Sequence, residues 1–539
     1  MTLKLKIFVF LILVLVSKSN AQNAPFQIAL EPMNISGLGG LQSFAWGQND
    51  GKWLIIGGRL DGLHRRQPFA SFDAAGNNTQ IIVVDPVAKK KWSSSLSSLS
   101  TAMQEQLSST NMEFYQQGDY LYLAGGYGYS ATSADHITFP NLSAVKVPEV
   151  IDAIVNGTSV SSYFRQINDT MFAITGGYIN KIYNTFYLSG GQRFIGRYNP
   201  MGPNQGPGFI QTYSNSSRKF TIQDDGVTLK VTHLTAIIDA ANLHRRDYNV
   251  ANQILPNGEQ GITAFSGVFQ VSLDLPYLNS VNIDSNGLTV NAGFSQYYNH
   301  YHCAHLPVYS SSKNEMHTVF FGGIAQFYDS MGIMVQNNDV PFVKTIARVT
   351  RDGKGSMSEY KLPIEMPALL GAGSEFIPIQ SNPQYPNEVL KLDDFSKDTT
   401  QVGYIFGGIA STAKNIFFIN TGTQSTASST IFKVYLIKNS TASTHSLNSQ
   451  STGTLQMQVY PNPNNGYFMI KFNLKSTDNV KLTITDIKGK VIESGILTDL
   501  EIGENTYSRK YRKLSEGGVY FITLETPYEK AFRKVVVEL

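Results

Sequence analysis

The sequence has few charged residues and almost no cysteine. Of its 539 residues, 15% are Asp, Glu, Lys or Arg, and Cys303 is the only cysteine. A single cysteine cannot form an intramolecular disulfide, so a large apolar core must hold the fold together. The 43 Lys and Arg residues nearly balance the 40 Asp and Glu residues, which argues against the basic face of a nucleic-acid-binding protein.

Long apolar runs and common catalytic motifs are also missing. The apolar run at residues 7–16 is far shorter than the roughly 20 residues of a membrane-spanning helix, and no later run approaches that length. We therefore predict no transmembrane segment. Phosphate-binding loops and the HExxH, CxxC and GxSxG patterns are absent as well.

Aromatic residues and glycine are abundant. Phe, Trp and Tyr make up 12% of the chain, and there are 46 glycines. Aromatic side chains suit the pleated, half-buried surface of a sheet, and glycine is typical of the turns between strands. The composition predicts an all-β protein.

The first 21 residues have the features of a signal peptide. Lys4 and Lys6 precede the apolar run, and a small-x-small pattern ends at Ala21. We predict cleavage near Ala21, which removes three lysines and no acid and leaves a formally neutral mature chain. A neutral chain offers no general attraction to a membrane surface or to DNA.

An apolar strand ending in Gly-Gly recurs along residues 22–437. In each copy a first strand with a polar residue in its middle and a short turn precede this strand, and a long loop follows it. The first copy adds two more strands, one beginning at Ile81 and one at Trp92. The pattern predicts four short strands per repeat, with glycines that let another backbone approach closely. The second glycines of the six copies, one of them degenerate, are Gly58, Gly126, Gly191, Gly267, Gly323 and Gly408.

This region resembles the kelch-type β-propellers in its Gly-Gly strand ends and in Asp85 and Trp92 of the first copy. The resemblance implies six blades, with seven as the alternative because the interval before Gly408 is long. Residues 26–30 are expected to close the ring beside residues 431–437. An irregular array of β-sandwiches is the competing interpretation.

The C-terminal part is a linker followed by a second domain. Residues 438–454 are rich in Ser, Thr and Asn and lack apolar periodicity, which is typical of a linker. In residues 455–539, apolar residues alternate along short runs, as at Phe468, Ile470 and Phe472. This period of two predicts a small antiparallel β-sandwich.

The same stretch resembles the type A C-terminal sorting domain of the type IX secretion system. The resemblance is carried by YPNP-x-x-G at 460–466, LTITDIKGKV at 482–491, GGVYFI at 517–522 and the terminal KVVVEL. It implies the type IX secretion machinery as a partner and a protein secreted from, or attached to, the surface of a Gram-negative bacterium. An accessory immunoglobulin-like module is the alternative. The matching motif residues are Tyr460, Pro461, Asn462, Pro463, Gly466, Gly489, Gly518 and Lys534.

Histidine and arginine concentrate in three segments, residues 63–66, 243–246 and 300–305. In a propeller the first two would face each other across the channel, so all three could ring one mouth. Arginine forks there suit a carboxylate or sulfate of an acidic glycan. The alternative is a structural role, in which these side chains tie neighbouring blades together through backbone carbonyls. The candidate ligand-binding residues are His64, Arg65, Arg66, His244, Arg245, Arg246, His302 and His305.

Three functions remain open from the sequence. The first is an exported binding protein for a glycan or protein ligand. The second is a carbohydrate-active enzyme on the same scaffold, either a sialate-mutarotase-like epimerase or an oxidase resembling the galactose-oxidase-like propellers, with Cys303 near Tyr301. The third is a purely structural surface protein. No cofactor is identified, and no metal site is predicted, because His302 and His305 point to opposite faces of a strand.

Overall fold

The computed structural model describes residues 25–330, 333–438, 455, 457–464, 466–474, 479–486, 490–498, 500–510, 517–526 and 530–537. The predicted signal peptide, the linker after Lys438 and Gly489 lie outside the described residues. The chain divides into two compact units, residues 1–440 and 441–539, and each is described separately below. The predicted all-β class is confirmed, since strands dominate both units.

The first unit contains thirty strands and two short α-helices among its described residues. The strands up to residue 146 are β1 (Phe26–Met33), β2 (Ala45–Asn49), β3 (Lys52–Ile56), β4 (Gln80–Asp85), β5 (Lys90–Ser95), β6 (Thr110–Gln117), β7 (Tyr120–Ser130), β8 (Asp135–Thr138) and β9 (Asn141–Lys146). Those up to residue 290 are β10 (Phe164–Asn168), β11 (Thr175–Ile182), β12 (Thr185–Ile195), β13 (Ile210–Tyr213), β14 (Ser216–Asp224), β15 (Leu229–Ile238), β16 (Asn249–Ile254), β17 (Gln260–Phe265), β18 (Ser280–Ile283) and β19 (Leu288–Val290).

The remaining strands of this unit form the sheets nearest its C-terminal end. They are β20 (His305–Ser310), β21 (Glu315–Phe321), β22 (Phe327–Ser330), β23 (Ile333–Gln336), β24 (Thr345–Arg351), β25 (Met357–Glu365), β26 (Leu369–Pro378), β27 (Leu390–Lys391), β28 (Thr399–Ser411), β29 (Ser425–Ala427) and β30 (Ile431–Lys438). The helices are α1 (Thr101–Leu107) and α2 (Val147–Asn156). Pro148 lies in the first turn of α2, and Gly157 ends the helix in the left-handed conformation.

The strands form six antiparallel sets of four. The sets are β2-β3-β4-β5, β6-β7-β9-β10, β11-β12-β14-β15, β16-β17-β18-β19, β20-β21-β24-β25 and β26-β28-β30-β1. The second and third sets join into one ten-stranded sheet through β8. In the last set β1 pairs with β30, Phe26 opposite Lys438 and Met33 opposite Ile431. The predicted pairing of residues 26–30 with 431–437 is therefore confirmed.

The Gly-Gly pairs are the points at which consecutive sets meet. The amide N–H of each second glycine donates to a backbone carbonyl at or just before the first strand of the next set, at 2.7–3.1 Å. The last of these bonds runs from Gly408 back to Leu41, ahead of the first set. The six bonds are Gly58 to Ser109, Gly126 to Ile174, Gly191 to Arg245, Gly267 to His300, Gly323 to Leu370 and Gly408 to Leu41.

Gly125 illustrates why glycine is needed there. Its φ is +65°, and a Cβ atom at this position would lie 1.9 Å from the carbonyl oxygen of Ile174 in the next set. Any side chain would force the two sets apart. The prediction that these glycines permit close backbone approach is confirmed.

The second unit has seven described strands in two antiparallel sheets. They are β31 (Gln458–Tyr460), β32 (Tyr467–Leu474), β33 (Val480–Asp486), β34 (Val491–Leu497), β35 (Gly503–Lys510), β36 (Gly518–Glu525) and β37 (Lys530–Val537). One sheet is β31-β32-β35, and the other is β34-β33-β36-β37. Phe468, Ile470 and Phe472 of the first and Val480, Leu482 of the second belong to one buried cluster. The alternation predicted from the sequence matches this burial.

Candidate functional site

A cavity of about 420 Å³ lies where the loops after the Gly-Gly strands meet the segments before the first strands. Residues from all six sets line it, and we call it the arginine cavity after Arg66 and Arg246. Backbone bonds link neighbouring sets at its wall, for example from the Gly373 amide to the His302 carbonyl at 2.9 Å. The lining includes Ser43, Asn111, Thr175, Asp247, His302 and Gly373, which lie in or just before the first strands of their sets or next to them.

Arg246 is fixed at this wall by its neighbour Asp247. Its Nη1 lies 2.5 Å from Oδ2 of Asp247, and its Nε donates to the hydroxyl of Tyr213 at 3.0 Å. Burial alone would lower the pKa of Arg246, but Asp247 and the surrounding tyrosines raise it above its ordinary value. The guanidinium is therefore a permanent charge in a defined orientation.

Arg66 differs from the other arginines that line the arginine cavity. Its guanidinium lies 5.2 Å from the centre of the Phe418 ring, and it has no acidic partner among the described residues. The backbone around it is held by Asn420, whose side-chain amide donates to the carbonyls of Leu63 and His64 at 2.7 and 2.9 Å. Arg66 is thus a half-buried cation without a carboxylate partner.

The other charges of the arginine cavity are paired or lie at its rim. Arg59 binds Asp61 through Nε and Nη2 at 2.7 and 2.5 Å. Asp274 and Asp339 also line the cavity, and both are exposed. Arg246 is itself paired with Asp247, so Arg66 is the arginine of the lining that has no carboxylate partner among the described residues.

His64 is neutral at physiological pH. Its ring lies 5.6 Å from the Phe72 ring and 5.3 Å from the Tyr198 ring. Burial lowers its pKa to about 4, and its Nδ1 has no hydrogen-bond partner among the described residues. His64 therefore adds an aromatic face and one free nitrogen to the wall.

The structure separates the predicted site residues into two groups. His64, Arg66, Arg246 and His302 line the arginine cavity, whereas Arg65, His244, Arg245 and His305 are not among its lining residues. Arg65 is exposed. His244 stacks on Tyr213 with ring centres 3.7 Å apart, and its Nδ1 lies 2.7 Å from Oδ1 of Asn215.

Arg245 is completely buried and bonded to backbone carbonyls. It donates to the carbonyls of Asn242, Ser266 and Asn279 at 2.6, 2.6 and 2.9 Å, and Nη2 donates to Oδ1 of Asn279. Its guanidinium lies 4.2 Å from the centre of the Tyr277 ring. Arg245 therefore has a structural role, but its side-chain bonds stay within the fourth set and do not tie neighbouring sets together as the alternative interpretation expected.

A second cavity, of about 300 Å³, is lined mainly by first strands of the sets. We call it the carboxylate cavity, because Glu113, Glu375 and Glu388 line it. His305 lies here, and His302 lines both cavities. Burial lowers the pKa of His305 to about 4.

His302 and Glu375 form the only ion pair between described residues of the carboxylate cavity's lining. The Nε2 atom of His302 lies 2.7 Å from Oε1 of Glu375. Burial opposes a charged imidazole, but Glu375 raises the pKa of His302 above its ordinary value. Glu113 has no such partner, and burial raises its pKa to about 8.

The sequence analysis did not identify the carboxylate cavity. Glu113 lies in β6 and Glu375 in β26, and both are the kind of polar residue in the middle of a first strand that the repeat pattern contains. That recurring polar position was the available signal. No sequence signal indicated Glu388, because this residue lies in the irregular segment after β26.

Cys303 is completely buried in an apolar cluster with Phe265, Phe294 and Phe320. Burial raises the pKa of its thiol to about 12, so the thiolate is scarce at neutral pH. Among the described residues, no group of three or more His, Cys, Asp or Glu side chains is arranged to hold a metal ion.

Asn462 fixes the YPNP segment of the second unit to a neighbouring strand. Its side-chain amide donates to the Lys534 carbonyl at 2.9 Å, and its Oδ1 accepts from the Val536 amide at 2.7 Å. The segment is thereby fixed to β37, while Tyr460 is 38% exposed. Gly466 has a φ of +82° at the turn into β32.

Comparison with known proteins identifies the second unit. Residues 458–538 match the secretion system C-terminal sorting domain family, which confirms the predicted type IX sorting domain. This domain indicates secretion or attachment to the cell surface through the type IX machinery. In the part of the chain that the structure describes, no helix is long and apolar enough to cross a membrane.

Similarity over the rest of the chain is remote. No curated protein sequence matches the chain. Among solved structures, YjhT is 12% identical with a TM-score of 0.40, covering 75% of this chain and 99% of YjhT. A copper complex of a fungal alcohol oxidase of the AA5 family is 8% identical with a TM-score of 0.36, covering 96% and 100%. These TM-scores are too low to assign a function.

Proposed function

We propose that residues 22–437 form a six-bladed, kelch-like β-propeller with the six strand sets as blades. The proposal is supported by the six equivalent glycine amide bonds, the last of which runs from Gly408 back to Leu41. Pairing of β1 with β30 supplies the fourth strand of the last set. A seventh blade is not needed, because the strands from β24 to β28 all pair within the fifth and sixth sets.

The arginine cavity of this propeller binds an acidic glycan at the cell surface or outside the cell. The observation that carries this proposal is Arg66, a half-buried cation in an aromatic-lined cavity without an acidic partner among the described residues. Arg66 and Arg246 suit a carboxylate or sulfate. The rim residues Asp274 and Asp339 suit sugar hydroxyls, and Phe72 and Phe418 suit the apolar face of a sugar ring.

A carbohydrate-active enzyme, such as a sialate-mutarotase-like epimerase, is the second candidate. It is favoured by Asp247 and His302, which line the cavity beside Arg246 and supply a carboxylate and an imidazole whose pKa is raised by Glu375. Such a pair suits general acid–base chemistry on a bound sugar. Exchange spectroscopy of the anomeric protons, with Asp247→Asn as the comparison, distinguishes turnover from binding.

The test of binding is a glycan array probed with the full-length protein and with two neighbouring variants. Glycans bearing carboxylate or sulfate groups should bind, and neutral counterparts should not. Arg66→Gln should weaken binding roughly tenfold or more, because it removes a charge-assisted hydrogen bond. Arg65→Gln is the matched control, since Arg65 is exposed and outside the lining.

Three outcomes contradict the acidic-glycan proposal. Equal binding of neutral and acidic glycans would exclude charge recognition. Unchanged binding by Arg66→Gln would exclude the arginine cavity as the site. An array without any binding would favour a protein ligand instead.

A further inference from the structure

We propose that the carboxylate cavity is a second binding site, specific for a small organic ammonium ion with a protonated primary amine. The cavity holds more carboxyl groups than cationic groups among its described lining residues. Glu375 is balanced by His302, but Glu113 and Glu388 have no cationic partner among the described residues. Glu113 is 5% exposed, and the only hydrogen bond to its carboxylate from the described residues is from the Gly177 amide at 2.8 Å.

Glu388 projects into the same cavity without compensation. Its carboxylate makes no hydrogen bond or ion pair with a described residue, and its backbone φ of +65° is unusual for a residue other than glycine. Glu388 is exposed, whereas Glu113 is buried, and burial raises the pKa of Glu113 to about 8. An ammonium group bound beside Glu113 would offset the cost of burying that carboxylate.

Unsatisfied acceptors indicate a cation that donates hydrogen bonds. Asn180 is 6% exposed, and its Oδ1 has no partner among the described residues. Its amide nitrogen already donates to the carbonyl of Val250 and to Oδ1 of Asn252, at 3.3 and 3.2 Å, so the oxygen is left free. Gln384 Oε1 and the Tyr178 hydroxyl are buried and unpartnered in the same lining. A primary ammonium has three N–H donors.

Aromatic rings complete the environment of an organic cation. Five of them line the carboxylate cavity, and a ring face attracts an ammonium group within about 6 Å. No described lysine or arginine lines the cavity, and the lowered pKa of His305 leaves that ring uncharged. The five aromatic residues are Trp46, Phe114, Tyr115, Tyr178 and Phe376.

Isothermal titration calorimetry of the full-length protein tests this assignment with two matched probes. At about pH 8.5, 1,4-diaminobutane is protonated and both carboxylates are ionised for the most part. The diamine should bind, and 1,4-butanediol, its neutral counterpart, should bind at least about tenfold more weakly. Equal binding of the two probes, or no heat with either, overturns the proposal.

Variants locate the site. Glu113→Gln combined with Glu388→Gln should weaken diamine binding about tenfold or more. The single variant Glu388→Gln should weaken it measurably and serves if the double variant does not fold. Glu259→Gln is the control, because Glu259 is exposed in the turn between β16 and β17. Unchanged diamine binding by the double variant would place the diamine elsewhere.

Two further measurements separate this site from other interpretations. Arg66→Gln should leave diamine binding unchanged, and the double glutamate variant should keep its acidic-glycan binding, because the two sites lie in different cavities. Failure of one site is thus distinguishable from failure of the other. Tighter binding of tetramethylammonium than of the diamine would contradict a primary amine and indicate an aromatic cage for quaternary ammonium.

Discussion

The imidazole of His302 lies 2.7 Å from the carboxylate of Glu375, and His302 lines both cavities of the first unit. Its backbone is fixed as well, since the His302 amide donates to the Asp247 carbonyl at 2.9 Å. Burial would favour a neutral ring, but Glu375 raises the pKa of His302 above its ordinary value. The charge state of this one residue therefore affects both cavities.

Glu375→Gln should lower the pKa of His302 below its ordinary value, because burial then acts without the opposing carboxylate. In the wild type the stabilisation by the pair is present below about pH 6.5 and is lost as the pH rises through the raised pKa. The variant should therefore lose roughly 1–3 kcal/mol near pH 6 and less near pH 9. NMR titration of the imidazole and urea unfolding at both pH values measure this. An unchanged His302 pKa would contradict the pairing.

Glu113→Gln should stabilise the protein at alkaline pH. In the folded protein the pKa of Glu113 is raised to about 8. The stability associated with the protonated carboxyl is therefore fully present below the pKa that Glu113 has in the unfolded chain, and it is lost as the pH rises through about 8. The variant should match the wild type near pH 4.5 and exceed its unfolding free energy by roughly 1–3 kcal/mol near pH 9. Urea unfolding gives both values. A destabilised variant at pH 9 would mean that the charged carboxylate is compensated.

Arg245→Ala should destabilise the first unit without a specific effect on ligand binding. The substitution leaves three backbone carbonyls without this donor, that of Ser266 buried and those of Asn242 and Asn279 partly buried, which costs roughly 3 kcal/mol or more. Arg65→Ala is the control, because Arg65 is exposed and should change stability by less than about 0.5 kcal/mol. Thermal unfolding compares the two. A stable Arg245→Ala variant that fails to bind acidic glycans would restore Arg245 to the binding site.

Gly125→Ala should destabilise much more than Gly118→Ala in the same β6–β7 segment. Both glycines have positive φ, but a Cβ at Gly125 meets the Ile174 carbonyl at 1.9 Å, and one at Gly118 has no atom within 4 Å. The backbone strain common to both costs about 1–2 kcal/mol. The clash should bring the Gly125→Ala cost to roughly 3 kcal/mol or more. Equal losses in chemical denaturation would show that the junction between the sets can open without cost.

Much of the strand arrangement could be predicted because its signals are local. The Gly-Gly pairs mark positions where only glycine fits, so they appear in the sequence at each junction between sets. The pairing of β1 with β30 could also be predicted, because a ring of repeats is completed when a strand from the start of the chain pairs with the last repeat. The six-set grouping of strands into sheets follows from these two features.

The cavities were harder to predict from the sequence, because the residues that line a cavity come from parts of the chain that are distant in sequence. Arg245 and Arg246 are adjacent, yet the first is buried and bonded to backbone carbonyls and the second lines a cavity beside Asp247. Composition and spacing cannot distinguish them. Glu388 lies in an irregular segment whose path is determined by tertiary contacts. No periodic pattern in the sequence therefore predicts its position.

Deleting residues 455–539 should block export while leaving the first unit folded. The second unit has its own buried core, in which Phe468, Ile470 and Val480 take part, and residues 458–538 match the sorting domain family. The truncated chain should accumulate in the periplasm of the native bacterium, where fractionation and immunoblotting detect it. Circular dichroism and acidic-glycan binding of the purified truncated chain show whether the first unit stays folded.

A point variant separates recognition from loss of the whole domain. Asn462→Ala removes two of the hydrogen bonds that hold the YPNP segment against β37, so it should reduce export while keeping the sheets of the domain. Lys471→Ala is the control, because among the described residues Lys471 forms an ion pair only with the exposed Glu504 on the neighbouring strand. Export of the Asn462→Ala chain at the level of this control would show that the secretion machinery does not depend on the fixed YPNP segment. Normal export of the truncated chain would refute the sorting role itself.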